Sequence, residues 1–315
     1  MKIIFMGTPD FAACALDALC ADGRDVILAV SQPDRQKGRG RKVIPTPVHV
    51  CADKCNVPVF QPARIREPGA IEKIRALAPD LIIVAAFGQI LPQELLDIPR
   101  LGCVNIHASL LPRLRGAAPI QWSIINGDAE TGITLMQMDA GMDTGDILFQ
   151  ERIPIAPDET GESLYEKLAR LGGEMIVRYL PAIEKGEIHP VRQDMDSATY
   201  APMLRKEMGE IDWALPAAVI EQRMRGMLPW PGAFTKLNGH VLKVWQAKAQ
   251  ERAGEAETDG EPAPGTVVSE DQKVIRVACG DGILALVEVQ AEGKKRMGTD
   301  AFLRGTKVPA GTVLG

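Results

Sequence analysis

Residues 81–109, LIIVAAFGQILPQELLDIPRLGCVNIHAS, contain two short and almost wholly apolar runs separated by a more polar segment. Short apolar runs of this kind are typical of strands buried on both faces of a parallel sheet. The same rhythm continues outward, with KIIFMG before FAACALDALCADG, VPVFQP before GAIEKIRALAP, and PIQWSIING before TGITLMQM. Strands that alternate with helical segments indicate βαβ units. We therefore predict a Rossmann-like, open and mostly parallel α/β sheet over residues 1–188.

The pattern changes after residue 189. A connector without βα rhythm, predicted over residues 189–206, leads to a helix in LPAAVIEQRMRGM and to two strands about an Asn-Gly turn in GAFTKLNGHVLKVWQAKA. Further short apolar runs follow at VIRVACG and ILALVEVQ. A length of 315 residues also exceeds the usual size of a single core. We predict a small OB-like β-barrel over residues 207–315.

Composition excludes several classes of protein. A hydrophobic fraction of 46% and a charged fraction of 24% are those of an ordinary globular protein. No run of about 18 apolar residues indicates a membrane span, and the N-terminus lacks a signal-peptide pattern, so we expect a cytoplasmic protein. The six cysteines lack the paired CxxC blocks of a zinc site, and we predict reduced core thiols with no disulfide and no structural metal.

Charge is distributed unevenly beneath a net value of -5. Residues 34–42, DRQKGRGRK, hold five basic residues and one acid, whereas residues 251–262 are mainly acidic and are typical of a solvated loop. In the first turn, GTPDF, we expect Thr8 to cap a helix and Pro9 to lie in its first turn. This turn matches neither the dinucleotide nor the P-loop motif, which disfavours NAD and P-loop chemistry.

Polar side chains end the strand in VNIHASLLP. Asn105, His107 and Ser109 alternate and therefore lie on one side of the strand, at the sheet edge where open α/β folds bind ligands. Asn105 and a protonated His107 are suited to stabilising an oxyanion, and a histidine beside a carboxylate is suited to proton transfer. The carboxylate candidates are Asp139, Asp143 and Asp146, among which spacing does not choose. The alternative for His107 is a structural histidine.

The motifs HASLLPRLRG and GMDTGDIL resemble the folate-dependent formyltransferases. The further matches GTPDFA, QPDRQKGRGRK, RGAAPIQ and LPWPGAFT are similar to members of this family that act on charged tRNA. The resemblance implies formyl transfer from 10-formyltetrahydrofolate to the α-amino group of Met-charged initiator tRNA. Independently of the resemblance, we expect a monomer that needs no metal.

The resemblance further implies a role for residues in three groups. The catalytic residues are Asn105, His107 and Asp143. The folate-binding residues are Phe87, Gly88, Gln89, Ile90, Leu91, Ser109, Leu110, Leu111 and Pro112. The tRNA-binding residues are Arg35, Lys37, Arg39, Arg41 and Lys42 in the basic loop, Arg205 and Lys206 in the connector, and Lys294, Lys295, Arg296 and Arg304 in the barrel. The alternative for each basic cluster is an ordinary solvated surface that binds no RNA.

Three other functions share part of this pattern. A formyltransferase acting on glycinamide ribonucleotide or on an amino-sugar nucleotide would use the same Asn-His-Asp set. The basic loop and the C-terminal unit favour tRNA over these acceptors. A hydrolase of formylfolate would replace the amine by water, and an inactive RNA-binding module would not need the intact catalytic set.

Overall fold

The computed structural model describes residues 1–37, 42–251, 262–269 and 273–315. The chain forms two compact units. Unit 1 comprises residues 1–120, 129–155 and 163–202, and unit 2 comprises residues 121–128, 156–162 and 203–315. Most of the predicted acidic loop, residues 252–261, lies outside the described residues. The domain boundaries at residues 188 and 206 remain predictions.

A seven-stranded sheet forms the centre of unit 1. The strands of this unit are β1 Ile3–Gly7, β2 Val26–Val30, β3 Arg35–Lys37, β4 Lys42–Ile44, β5 Val59–Phe60, β6 Leu81–Ala85, β7 Cys103–His107, β8 Arg115–Gly116, β9 Glu130–Gln137, β10 Ile147–Pro154 and β11 Tyr200–Ala201. The large sheet has the order β10-β9-β7-β6-β1-β2-β5. Its five strands from β7 to β5 are parallel, and β9 and β10 add an antiparallel edge. The predicted mostly parallel α/β sheet is confirmed.

Helices connect these strands. They are α1 Asp10–Ala21, α2 Pro47–Lys54, α3 Pro68–Leu77, α4 Gln93–Leu96, α5 Pro119–Ile125 and α6 Gly161–Lys185. The core beneath them is aliphatic, with Ile4, Ile74 and Ile82 fully buried. None of the helices in the described part of the chain combines the length and apolar character that a membrane span needs.

The predicted N-cap of α1 is wrong. Pro9 occupies the cap position and makes no side-chain cap hydrogen bond. Thr8 instead joins two strand ends, because its Oγ1 donates to the Phe87 carbonyl at 3.0 Å and accepts from the Gln32 amide at 3.3 Å. A Cβ on Gly7 would lie 2.4 Å from the Ala12 Cβ, so a glycine is required where β1 approaches α1.

Unit 2 is built around an antiparallel sheet. Its elements are a 3₁₀ helix Lys206–Gly209, α7 Ala217–Gly226, β12 Ala233–Leu237, β13 His240–Gln250, β14 Ile275–Ala278, β15 Ile283–Ala291, β16 Met297–Gly298 and α8 Thr299–Gly305. The strand order is β12-β13-β15-β14, with β16 on β15. Asn238 and Gly239 have φ values of 51° and 79°, so the Asn-Gly turn is confirmed. This half-barrel sheet is consistent with the predicted barrel.

Candidate active site

His107 is the last residue of β7, where the parallel strand reaches the carboxyl edge of the sheet. Its side chain is buried, with 6% exposed. Nε2 lies 3.0 Å from the Leu114 carbonyl, which can only accept, so this nitrogen carries a proton. Nδ1 lies 3.6 Å from Oδ1 of Asp143, which is longer than a hydrogen bond. The ring is therefore oriented by the Leu114 carbonyl and faces a carboxylate.

Asn105 lies two residues earlier on the same side of β7. It is half-buried, between Val84 of β6 and Met136 of β9. Its side-chain amide forms no hydrogen bond with any residue that the structure describes. Because a partly buried amide needs a polar partner, Asn105 is available to a bound ligand.

The structure distinguishes among the three aspartates. Asp143 alone is paired with His107, and its Oδ2 accepts from the Gly116 amide at 2.8 Å. Oδ1 of Asp139 instead accepts from the Gly141 amide and the Thr144 hydroxyl, at 3.0 and 2.7 Å, and so holds a turn. Asp146 is exposed. Geometry thus joins Asp143 to His107, as the resemblance implied.

Two residues that sequence reasoning missed hold Asp143 in place. Arg115 is fully buried, and its Nε and one terminal nitrogen donate to Oε1 of Gln193 at 3.1 and 2.7 Å. Gln193 in turn donates to the Asp143 and Gly145 carbonyls at 2.9 and 2.7 Å. These contacts support Asp143 in a left-handed conformation with φ of 53°. Arg115 lies in the motif HASLLPRLRG, but no local pattern indicates its partner Gln193, which lies in the segment predicted as a connector.

The loop after β7 is stabilised internally. Ser109 Oγ donates to the Arg113 carbonyl at 2.6 Å, and the Ser109 carbonyl accepts from Thr134 at 2.6 Å. The Leu111 carbonyl accepts from Gln150 at 2.8 Å. Ser109 and Leu111 are therefore buried and shape the loop, whereas Leu110 and Pro112 are half-exposed beside it.

The segment after β6 divides into buried and exposed positions. Phe87 and Leu91 pack into the aliphatic core. Gln89 fastens a neighbouring loop, since its Oε1 accepts from the Ile65 amide at 2.7 Å. Gly88 is exposed, and Ile90 is 83% exposed. Exposed apolar surface thus lies at the sheet edge beyond β6, the strand that neighbours β7.

The predicted basic loop begins and ends in a hairpin of β3 and β4. Arg35 is exposed, and Lys37 pairs with Lys42 through the backbone. Arg39 and Arg41 lie outside the described residues.

Asp34 fastens the base of this hairpin. Its carboxylate accepts from Gln61 at 2.7 Å, from the Thr46 amide at 3.1 Å and from His49 at 3.0 Å. Burial raises the pKa of Asp34, but the hydrogen bonds from Gln61, His49 and Thr46 outweigh burial and leave this pKa below its ordinary value.

The basic residues predicted in unit 2 differ in their surroundings. Arg296 is paired with Glu288 and lies over the Trp245 ring, and Arg304 is paired with Asp300 at 3.1 Å. The other four are exposed and form no ion pair with any described residue: Arg205, Lys206, Lys294 and Lys295. A groove of about 510 Å³ lined by Lys206, Trp230 and Lys243 lies in the same unit.

Two family models match the chain. The model described as "Formyl transferase" matches residues 1–180, and the model described as "Formyl transferase, C-terminal domain" matches residues 203–307. The chain therefore belongs to the formyl transferase family, and the predicted family is confirmed. It is an enzyme of formyl transfer.

Curated relatives carry a more specific name. "Methionyl-tRNA formyltransferase" of Geobacter metallireducens is 50% identical over 315 residues, covering 100% of this chain and 99% of that protein. The protein of the same name from Geotalea uraniireducens is 49% identical over 315 residues, covering 100% and 98%. A solved N-formyltransferase from Helicobacter canadensis, in complex with folinic acid and dTDP-3-aminofucose, shares the fold, with a TM-score of 0.66 and 18% identity over 91% of this chain and 99% of that chain.

Proposed function

We propose that this enzyme transfers the formyl group of 10-formyltetrahydrofolate to the α-amino group of methionyl initiator tRNA. The observation that carries the chemistry is the side-chain amide of Asn105, two residues before His107 on β7, which has no hydrogen-bond partner among the described residues, together with the His107–Asp143 pair. The choice of acceptor is supported by relatives of about 49% identity that are named for Met-tRNA. A monomeric enzyme located in the cytoplasm belongs to the same proposal.

The reaction is an acyl transfer between two nitrogens. The neutral α-amine attacks the formyl carbon, and a tetrahedral oxyanion forms. The bond from this carbon to N10 of the folate then breaks, and the proton lost by the amine is taken up by N10. The Asn105 amide donates to the oxyanion, and removal of such a donor typically costs about 10²- to 10³-fold in rate.

In this reaction, His107 and Asp143 stabilise the developing charge and assist proton transfer. The Leu114 carbonyl and the Asp143 carboxylate are acceptors that face the two ring nitrogens of His107. Nδ1 is the nitrogen not bound in a short hydrogen bond, so it is the one available to a substrate oxygen or to a bridging water. Asp143 assists proton transfer from the amine to N10.

The surroundings of the catalytic residues fit a folate. A folate has flat, mostly apolar rings with polar edges, which require exposed apolar side chains and free backbone groups. Ile90, in the loop after β6, is 83% exposed, and Met142, next to Asp143 in the loop between β9 and β10, is 62% exposed. Leu110 and Pro112 add half-exposed apolar surface next to His107. We assign the folate rings to these side chains and to the backbone around Gly88.

The tRNA contacts follow from charge and stacking. Arg35 would meet the acceptor end, together with Arg39 and Arg41 of the basic sequence at residues 34–42. The exposed residues Lys294, Lys295, Arg205 and Lys206 would meet phosphates. The groove of Lys206 and Lys243 is also lined by Trp230, a residue that is 55% exposed and whose ring is suited to stacking on an unpaired base. Arg296 and Arg304 contribute less, since each is paired with a carboxylate.

The acceptor is tested by competition. Labelled 10-formyltetrahydrofolate is offered with Met-charged initiator tRNA, glycinamide ribonucleotide and a dTDP-linked amino sugar, each alone and then together. We expect label only on the charged tRNA and no transfer by His107→Ala. Label on a small amine, with the charged tRNA unmodified, would contradict the proposed acceptor and leave formyl transfer itself intact.

A further inference from the structure

Three cysteines and one aspartate come together on helices α1 and α2. Asp17 and Cys20 lie three residues apart on α1, and Cys51 and Cys55 lie four residues apart on α2 and at its C-cap. Residues at these spacings share one helix face. The packing of α1 against α2 therefore brings two pairs of potential metal ligands together, on elements that carry none of the catalytic residues.

The distances suit a metal ion. One ligand atom each from Asp17, Cys51 and Cys55 lie within 4.8 Å of one another. In a tetrahedral zinc site, with Zn–S bonds of about 2.3 Å, two sulfur atoms lie about 3.8 Å apart. Side-chain rotations that move the ligand atoms about 1 Å closer together would thus bring them to bonding distance of one ion.

Cys20 is the candidate for the fourth ligand. Its thiol neighbours that of Cys55, but its sulfur is not one of the three ligand atoms that lie within 4.8 Å of one another. Rotation of the Cys20 side chain on α1 is therefore needed for this sulfur to join the other three.

We propose that Asp17, Cys20, Cys51 and Cys55 bind one Zn²⁺ through three sulfur atoms and one carboxylate oxygen. Thiolate ligands select soft or borderline cations, of which zinc adopts the tetrahedral geometry that this set offers. The ion reaches the site from the side of Asp17, which is exposed, whereas Cys51 is only 8% exposed.

The zinc fastens α2 to α1. Because α2 follows β4, the ion also braces the helix into which the basic hairpin leads. The proposal departs from the sequence prediction of no structural metal. That prediction depended on spacing along the chain, and Cys51 and Cys55 have no second pair nearby in sequence. Their partners come from α1, and only the fold brings the two pairs together.

The test uses the full chain, reduced and freed of metal with a chelator. Co²⁺ is titrated first, because thiolate ligation gives it a charge-transfer absorption band, and Zn²⁺ is then added to displace it. Cys55→Ser and Asp17→Asn are the test variants, since both positions are at least partly exposed and tolerate a polar side chain. Cys14→Ser is the matched control, because Cys14 is an exposed thiol on α1 that is not among the proposed ligands.

We expect one Zn²⁺ per chain and an increase of the melting temperature on binding. Loss of a residue that only hydrogen-bonds to a metal ligand weakens metal binding about 10- to 100-fold, so Cys55→Ser, which removes a ligand itself, should weaken Zn²⁺ binding at least as much. Cys14→Ser should bind Zn²⁺ like the wild type. No cobalt band in the reduced wild type would overturn the proposal, as would equal affinity in Cys55→Ser. A disulfide that replaces metal uptake would also overturn it and assign these thiols a redox role.

Discussion

The amide of Asn105 is the most direct single-residue test of the proposed chemistry. Asn105→Ala should lower kcat by about 10²- to 10³-fold, because one donor to the oxyanion is lost. KM for both substrates should change little, since the amide acts on charge that develops in the transition state. Steady-state kinetics decide the matter, and a raised KM with unchanged kcat would show that Asn105 binds the ground state instead.

The aspartate beside His107 offers a matched comparison within one loop. Asp143→Asn should lower kcat by about 10²- to 10⁴-fold, because the carboxylate that faces Nδ1 is replaced by a neutral amide. Asp146→Asn, at an exposed position three residues later, should stay near the wild type. Rate measurements on purified variants of equal melting temperature check both. Equal losses of kcat in the two variants would contradict the assignment of Asp143 as the catalytic aspartate.

For individual residues, the sequence predicted which side chains belong to the candidate site better than it predicted the groups that contact them. Alternation along β7 placed Asn105 and His107 on one side, and the structure agrees. Spacing did not choose among the aspartates, because the choice depends on where the Asp-Gly loop returns to His107. The Leu114 carbonyl, which orients the His107 ring, was not foreseeable, because a backbone contact carries no residue-type signal.

Among the structural elements, the loop that carries Asp143 depends on Gln193. Gln193→Leu removes two hydrogen bonds to the loop backbone and leaves the Arg115 guanidinium buried without its partner. Hydrogen bonds that involve a charged group contribute about 1.5–3 kcal/mol, so we expect a loss of stability of about 2 kcal/mol or more. Urea unfolding measures the loss, and a change below about 0.5 kcal/mol would contradict this role.

The carboxylate of Asp34, at the base of the β3–β4 hairpin, should make the stability of the fold depend on pH. The pKa of Asp34 is lower in the folded chain than its ordinary value, so its ionised form stabilises the fold. This contribution is fully present above about pH 4, the unfolded value, and is lost as pH falls through the folded pKa. The melting temperature of Asp34→Asn should therefore lie below that of the wild type at pH 7, and the gap should narrow below about pH 4. A gap independent of pH would contradict the argument.

Elements with a strong local signal were predicted correctly, and those set by long-range pairing were not. The apolar runs became β6 and β7, and the Asn-Gly turn joins β12 to β13. The pairing of β8 with β11 was missed, because two-residue strands far apart in sequence have no periodicity. The same reason explains why the segment predicted as a connector contributes Gln193 to the site.

For the whole molecule, tRNA binding should depend on salt through the exposed lysines of unit 2. A protein with net charge -5 has no general attraction to RNA, so local basic groups must supply it. Lys294→Ala combined with Lys295→Ala should weaken binding and reduce the slope of log K against log salt by about 2, because two phosphate contacts are lost. Arg304→Ala, which removes an ion-paired residue, should change the slope less. Filter binding over a salt series measures both, and equal slopes in all three proteins would contradict the lysine assignment.

The measurement that tests the central claim most directly is single-turnover formyl transfer from labelled 10-formyltetrahydrofolate to Met-charged initiator tRNA. Wild type, Asn105→Ala, His107→Ala and Asp146→Asn are compared at saturating concentrations of both substrates, so that binding differences do not enter. We predict rapid transfer by the wild type and Asp146→Asn, and rates lower by about 10²-fold or more in the other two. Undiminished transfer by Asn105→Ala and His107→Ala would contradict the claim that this strand end is the site of formyl transfer.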